Sequence, residues 1–403
     1  MTLMKQFNKK LEILFGNKQL VDLKNKNPFQ IFDDRVTEFF DDLSKSLLKR
    51  KEVKYFPDVV SFLFFSRKSN LNKIKKNYLE QKKNLGRGLS FHISPSNVPI
   101  NFAYTLLTGL ISGNKCIVRV TSKEFEQLTF LISEIKKKLN LKKYLFIKKN
   151  IFVVKYKYNK EITDYLSKIS DIRIIWGGDK TVNEIRKSTI KPRSFDITFA
   201  DRYSACLIDT NYYIASEEKS KIAKNFFNDT YYFNQKACSS PHLIFWLGDK
   251  DQYLKARKIF WEQLYQVLEK KKFTLDSFSI LNKYKIICGS TFKNNHENTS
   301  MYKDNRINLI NLKKLNKSVF SICCGDGLFA EYQSKNINSL IKIMSQKFQT
   351  LTYIGNKKEK VLEKIINKSP KGLDRLVEVG DAGNFSFDWD GYDLVRHMSR
   401  KII

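Results

Sequence analysis

Between Gly86 and Asp209, short runs rich in β-branched residues alternate with stretches of helical periodicity. No other feature restricts the fold as tightly. The runs are Leu89 to Ile93, Cys116 to Val120, Ile151 to Tyr156 and Ile172 to Trp176. Helical patterns fall between or after them, over Asn101 to Ile111, Phe125 to Leu139 and Thr181 to Lys187. Strands that alternate with helices build a parallel sheet flanked by helices, so the expected class is α/β.

A chain of 403 residues has room for two cores. Residues 1–84 read as amphipathic helices, with Phe39, Phe40, Leu43 and Leu47 at helical spacing. They are expected to pack on a domain over 85–205, to which 376–403 returns. A second domain over 206–375 carries a helix at Glu217 to Asn228, a strand at Leu243 to Trp246 and a helical pattern at Asp251 to Lys270. The lysine-rich stretch Asn356 to Lys371 is expected to be surface helix.

The 73 Lys and Arg exceed the 41 Asp and Glu, for a net charge of +32. The lysines are spread through every segment beside Asn, Ile and Phe, without one basic stripe or a nucleic-acid-binding motif. Nucleic acid is therefore not the expected partner, whereas a phosphate-rich substrate or an acidic carrier protein is compatible. No apolar run is long enough to span a bilayer and Met1 to Lys10 lacks a signal-peptide core, so a soluble, cytoplasmic protein is expected. The six cysteines, at 116, 206, 238, 288, 323 and 324, form no C-x-x-C pair and no metal-ligand spacing with histidine. Reduced thiols and no metal site are expected, and an ordinary cysteine is a small buried hydrophobe.

Four segments carry chemistry. Ser94-Pro95-Ser96-Asn97 follows a strand and precedes a helix, where Asn97 either donates its amide to an oxygen gaining negative charge or merely caps the helix. Gly113-Asn114-Lys115 turns into the strand that ends at Arg119 and Val120. Arg119, Ser122 and Lys123 then fall where nucleotides bind at strand ends, although a surface lysine is the simpler account of Lys123. Gly177-Gly178-Asp179 opens a helix after a strand and lets backbone amides approach a phosphate, without a full G-x-G-x-x-G or P-loop spacing. Cys238, in Asn234-Gln235-Lys236-Ala237-Cys238-Ser239-Ser240-Pro241, lies between a helix and a strand among small residues. Backbone amides or Lys236 would have to stabilise its thiolate. His242 is the nearest candidate base but opens a strand and should point away. His92, His296 and His397 have no partner visible in sequence.

These four segments, in this order, resemble the aldehyde dehydrogenase superfamily, with its Pro-Trp-Asn-Phe-Pro turn, Gly-Asn strand, glycine turn and Asn-Gln-x-x-Cys nucleophile. The runs HISPSNVPINFAY, IWGGDKTVNEIR, ITFADRYS, ACSSP and WDGYDL resemble more closely the acyl-CoA reductase family of bacterial luminescence (LuxC type), over residues 88–403. The resemblance implies an aldehyde dehydrogenase-like fold, with a Rossmann-type cofactor domain and an α/β catalytic domain. It makes Cys238 the nucleophile and Asn97 an oxyanion donor. Ser94, Pro95, Ser96, Arg119, Ser122, Lys123, Gly177, Gly178 and Asp179 become cofactor-binding positions. Asn183 departs from the pattern, standing where many relatives have a second glycine.

The activity implied is NADPH-dependent reduction of a long-chain acyl-CoA or acyl-protein thioester to the aldehyde, through an acyl-cysteine. Arg119 and Lys123 would pair a ribose phosphate, with Glu124 as the competing reader of a ribose hydroxyl. Partners would be acyl-CoA, an acyl carrier or an acyl-transferring protein, in a homo-oligomer or a complex with an acyl-activating enzyme. Phe199 falls near the hydrolytic family's general-base glutamate and cannot accept a proton, so the acyl-enzyme should resist water; Asp201 is the alternative base. Rival readings are an oxidative aldehyde dehydrogenase and a basic, non-catalytic scaffold with the same fold.

Overall fold

The computed structural model describes residues 10–17, 20, 23, 27–81, 83–291, 296–322 and 325–403. The chain divides into two compact units, one of residues 1–200 with 385–403 and the other of 201–384.

The first unit is built on six strands: β1 (Glu12–Gly16), β2 (Leu89–Ile93), β3 (Lys115–Val120), β4 (Ile151–Lys155), β5 (Ile172–Trp176) and β6 (Phe195–Phe199). Their order is β1-β4-β3-β2-β5-β6, parallel except for β1, which pairs antiparallel with β4. Side chains alternate between two buried faces, which is why these strands read as near-continuous apolar runs. Cys116, Val118 and Val153 pack against α4 (Asn101–Ile111) and the N-terminal helices α1 (Asp34–Leu47) and α2 (Pro57–Phe65). Phe91, Ile117, Phe152 and Val154 pack on the opposite face against α6 (Lys160–Ile169) and α7 (Asp179–Arg186), with α5 (Glu126–Leu139) on the first face. Phe39, Phe40, Leu43 and Leu47 are buried, as their spacing predicts.

Among the described residues, the second unit holds seven strands: β7 (Tyr203–Asp209), β8 (Pro241–Leu247), β9 (His296–Met301), β10 (Asn308–Leu312), β11 (Leu328–Ser334), β12 (Phe348–Ile354) and β13 (Arg375–Glu378). The order is β9-β10-β11-β8-β7-β12-β13, parallel apart from the edge strand β9. Ile208, Ile244 and Trp246 face α8 (Lys219–Thr230) and α9 (Lys250–Lys270) through Phe226, Phe260 and Leu264. Ala205, Leu243 and Phe245 face the other side, with Leu340, Phe348 and Ile365.

Three differences from expectation have physical causes. The N-terminal segment is not wholly helical, because Glu12–Gly16 supplies an edge strand that covers β4. Residues 376–384 stay with the second unit, because Arg375–Glu378 pairs in parallel with β12 before the chain returns at Phe385. Asn356 to Lys371 is helical only over Lys358–Ile366. No helix among the described residues is long and apolar enough to cross a membrane.

One cluster of buried charge in the second unit is centred on β11. Glu331 on β11 is buried and accepts from Trp246 Nε1 at 3.1 Å, Trp261 Nε1 at 2.8 Å and Arg257 Nε at 2.8 Å. Removing the cation leaves a desolvated carboxylate behind. Arg257→Ala is therefore expected to cost about 3 kcal/mol in urea unfolding. A loss below about 1 kcal/mol, the value of an exposed pair, would contradict this account of the cluster.

Candidate active site

In the first sheet the chain runs outward from β2 to β3 and β4 on one side, then returns to place β5 and β6 on the other. The strand order thus reverses between β2 and β5. In open α/β sheets, ligands bind outside the carboxyl ends of the strands at such a point. Ser94 to Asn97 leave the carboxyl end of β2, and Gly177 to Asp179 leave that of β5, so two of the sequence-selected segments meet the same crevice. Arg119 lies near the carboxyl end of β3, the next strand, and Ser122 and Lys123 follow it.

Ser94 N donates to Arg119 O at 3.0 Å, while Ser94 Oγ is buried with no hydrogen-bond partner. Asn97 lies exposed on a bend and does not cap α4, whose cap residue is Ile100. At α7 the cap is Gly178, with no side-chain bond to the first helical amides, and Asp179 opens the helix. Gly177 and Gly178 do not serve a left-handed backbone. Gly177 instead clears space, since a Cβ there would stand 3.0 Å from Thr181 Cγ2. An orphaned hydroxyl and an uncapped helix N-terminus at a strand crossover suit the phosphates and ribose of a dinucleotide.

The cations beside this crevice are partly engaged. Arg119 donates to Tyr156 O from Nη2 at 3.3 Å, with its guanidinium 4.6 Å from the Tyr156 ring centre. Ser122 and Lys123 are exposed. Glu124, the competing ribose reader, is ion-paired with Lys155.

In the second unit Cys238 stands just before β8, at the amino edge of the sheet. The helix α8 ends in a short 3₁₀ turn, and Asn234 and Gln235 both take positive φ, of 50° and 57°. Two consecutive left-handed non-glycine residues are strained unless their surroundings hold them. Gln235 supplies the hold. Its buried carboxamide donates to Pro241 O at 3.1 Å and Leu328 O at 3.4 Å, and accepts from Gly327 N at 2.7 Å. Ser204 Oγ at the start of β7 donates to Cys238 O at 2.7 Å and accepts from Thr350 N at 3.1 Å. The Cys238 carbonyl is thus tied to β7, and Gln235 ties the turn that carries it to β8 and β11.

The cysteines divide sharply. Cys116 and Cys206 are buried, with thiols pushed up to about 12 by loss of solvent. Cys238 and Cys288 are exposed, and of these only Cys238 lies on a braced turn. Cys323 and Cys324 lie outside the described residues. Lys236 Nζ stands 3.6 Å from the buried Asp326 Oδ1, so its charge is shared with that carboxylate. His242 is held neutral, down to about 4, by burial, and its Nδ1 has no partner. His92 is fully buried, His397 Nδ1 lies 2.7 Å from Asp393 O, and the His296 side chain lies outside the described residues.

Phe199 belongs to the first unit's core. It is 6% exposed and stacks on Trp176, ring centres 3.6 Å apart. A glutamate there would be buried, so Phe199→Glu tests folding before it tests hydrolysis. Arg202 pairs with Asp374. The bracing residues Gln235, Ser204 and Gly327 were visible in sequence only as a motif position, a strand-opening serine and a glycine. Asp229 was not singled out at all: at the end of α8 it accepts from Gly380 N at 2.6 Å and Ala382 N at 3.0 Å, and burial pushes its carboxyl up to about 7.

Residues 3–400 match the family model described as acyl-CoA reductase (LuxC). The long-chain acyl-protein thioester reductase of Vibrio harveyi is 25% identical over 207 residues, 50% of this chain and 41% of that protein. Long-chain acyl-protein thioester reductase 2 of Photobacterium leiognathi is 24% identical over 193 residues, 47% of this chain and 37% of that one. The matches thus span about two fifths of these relatives' length. Among solved structures, an NAD-dependent benzaldehyde dehydrogenase from Corynebacterium glutamicum superposes with a TM-score of 0.63 at 9% identity, covering 92% of this chain and 84% of its own. An NADP-dependent glyceraldehyde-3-phosphate dehydrogenase from Bacillus halodurans, solved with NADP, gives 0.58 at 13% identity, covering 94% and 87%. These likenesses establish the aldehyde dehydrogenase fold.

Gln235→Leu keeps the buried volume but orphans the Gly327 amide and two carbonyls. It is expected to destabilise the protein by about 2 kcal/mol and to slow alkylation of Cys238 by iodoacetamide about tenfold, as peptide mapping would read. An unchanged Cys238 rate would show that the turn holds its shape without the carboxamide.

Proposed function

The chain belongs to the acyl-CoA reductase (LuxC) family, and on that premise we propose that it reduces a long-chain acyl thioester to the aldehyde through an acyl-Cys238 intermediate, with NADPH as reductant. The observation that carries the reading is the state of the thiols. Cys238 alone among the described cysteines is exposed on a turn that dedicated polar contacts hold.

The Cys238 thiolate attacks the thioester carbonyl, the carbon–sulfur bond to the carrier breaks, and the carrier leaves as a thiolate that takes its proton from solvent. Asn97 is proposed to donate its amide to the carbonyl oxygen as charge develops there. When bound, a nicotinamide would supply the hydride that the acyl carbon needs to leave Cys238 as an aldehyde, returning the thiolate. Ser94, Pro95, Ser96, Gly177, Gly178 and Asp179 would hold the dinucleotide at the crossover, with Arg119, Ser122 and Lys123 toward the adenosine ribose. Phe199, at the position the resemblance gives to the hydrolytic relatives' base, is a core ring with no proton acceptor, so acyl-Cys238 is expected to persist in water long enough to be reduced. The acyl donor is proposed as acyl-CoA or an acyl-carrying protein, because the Vibrio harveyi relative is a long-chain acyl-protein thioester reductase.

The direct test is purified protein with NADPH and a panel of acyl-CoAs, following absorbance loss and trapping the aldehyde. Turnover supports the proposal, and no turnover with any thioester would favour the scaffold reading. Cys238→Ala should abolish aldehyde formation and the acyl adduct seen by mass spectrometry, while dinucleotide affinity stays within about twofold, because the covalent step has no substitute. An adduct mapped to Cys288 would remove the assignment.

NADPH should have the higher kcat/KM of the two nicotinamide cofactors. Arg119→Ala should raise KM for NADPH about tenfold and leave NADH nearly unchanged, the size expected for one charge-assisted phosphate contact. A wild-type preference for NADH would contradict the ribose assignment.

A further inference from the structure

A single directed chain of hydrogen bonds runs through the first unit beneath the strand crossover. Trp176 Nε1 lies 3.3 Å from Thr105 Oγ1, Thr105 Oγ1 lies 2.6 Å from His92 Nδ1, His92 Nε2 lies 2.8 Å from Ser90 Oγ, and Ser90 Oγ lies 3.0 Å from Lys115 O. An indole nitrogen only donates and a carbonyl only accepts, so both ends are fixed. Thr105 therefore accepts from Trp176 and spends its one proton on His92 Nδ1. His92 carries its proton on Nε2 and passes it toward Ser90, which donates to Lys115 O. A second proton on the ring would leave the Thr105 hydroxyl with no acceptor. That adds to burial, which lowers the His92 pKa to about 3.

The helix makes room for this chain. Gly109 lies inside α4, where glycine is the least favourable residue after proline. A Cβ there would stand 2.7 Å from His92 Nε2 and 2.5 Å from Cys116 Sγ. Thr105 and Gly109 are four residues apart, so one face of α4 both bonds and admits the imidazole.

The far end of the chain is Trp176, the last residue of β5. It is stacked on Phe199 and followed at once by the Gly177-Gly178 turn and the uncapped N-terminus of α7. We infer that His92 and Thr105 are positioning residues for the dinucleotide site: their hydrogen-bond chain fixes the Trp176 indole, and with it the glycine turn that meets the phosphates. The inference rests on the proposed use of NADPH.

The test is the equilibrium dissociation constant for NADPH, read by dialysis without acyl substrate. Thr105→Val keeps the shape and deletes the acceptor, and Trp176→Phe keeps a stacked ring and deletes the donor. Each should weaken NADPH binding about fivefold, the effect of one lost neutral hydrogen bond, and the double variant should be no weaker than either alone. Val118→Ala, a core truncation on β3, should lower the melting temperature and leave NADPH affinity unchanged. Nitrogen-15 spectra should show the His92 proton on Nε2 and no titration between pH 8 and pH 5. NADPH binding unchanged in both Thr105→Val and Trp176→Phe, equal weakening in Val118→Ala, additive losses in the double variant, or a proton on Nδ1 would each overturn the inference. Wild-type protein that binds no NADPH would overturn the proposed function as well.

Discussion

A parallel strand covered on both faces can offer a reactive group only at its ends. The central strands of both sheets are of that kind: Val118 and Ile117, or Phe245 and Ile244, alternate between two buried layers. Everything with chemical potential is therefore displaced to the edges. The first unit gathers Ser94 to Asn97 and Gly177 to Asp179 at carboxyl ends, where the strand order reverses. The second holds Cys238 at an amino edge, between the starts of β7, β8 and β11.

Edges are made of turns, and turns hold their shape only when something pins them. The Cys238 turn is pinned by a buried glutamine that answers three backbone groups, and by a serine that ties the Cys238 carbonyl to β12. The glycine turn after β5 follows Trp176, which bonds to the histidine chain. In both units, then, polar side chains are buried to place backbone, and each is satisfied by partners that dictate its orientation.

Periodicity made the strands and helices of the two sheets legible. Leu89–Ile93, Ile172–Trp176 and Asn101–Ile111 emerge with the bounds the sequence pattern predicts. What stayed hidden depends on pairing across distance. Glu12–Gly16 reads as nothing in particular until β4 offers it an edge. The return of the chain at Phe385 was placed too early because pairing of Arg375–Glu378 with β12 leaves no local signal. At the sites, the residue types of Cys238 and Gly177 advertised themselves, whereas Gln235 looked like a motif letter and His92 like an isolated histidine. Gly109 was the overlooked clue, a glycine inside a helix that needed a reason. Phe199 was read as an active-site substitution, yet its ring is packed in the core against Trp176.

The central claim is that the acyl group on Cys238 is the species reduced. Protein acylated with a long-chain acyl-CoA can be freed of excess thioester by gel filtration and then mixed with NADPH alone. The account predicts close to one aldehyde released per acylated chain, with Cys238 returned to the thiol, and little free acid before NADPH is added. Release of the acyl group as free acid, or aldehyde that forms only when fresh thioester is supplied, would contradict it.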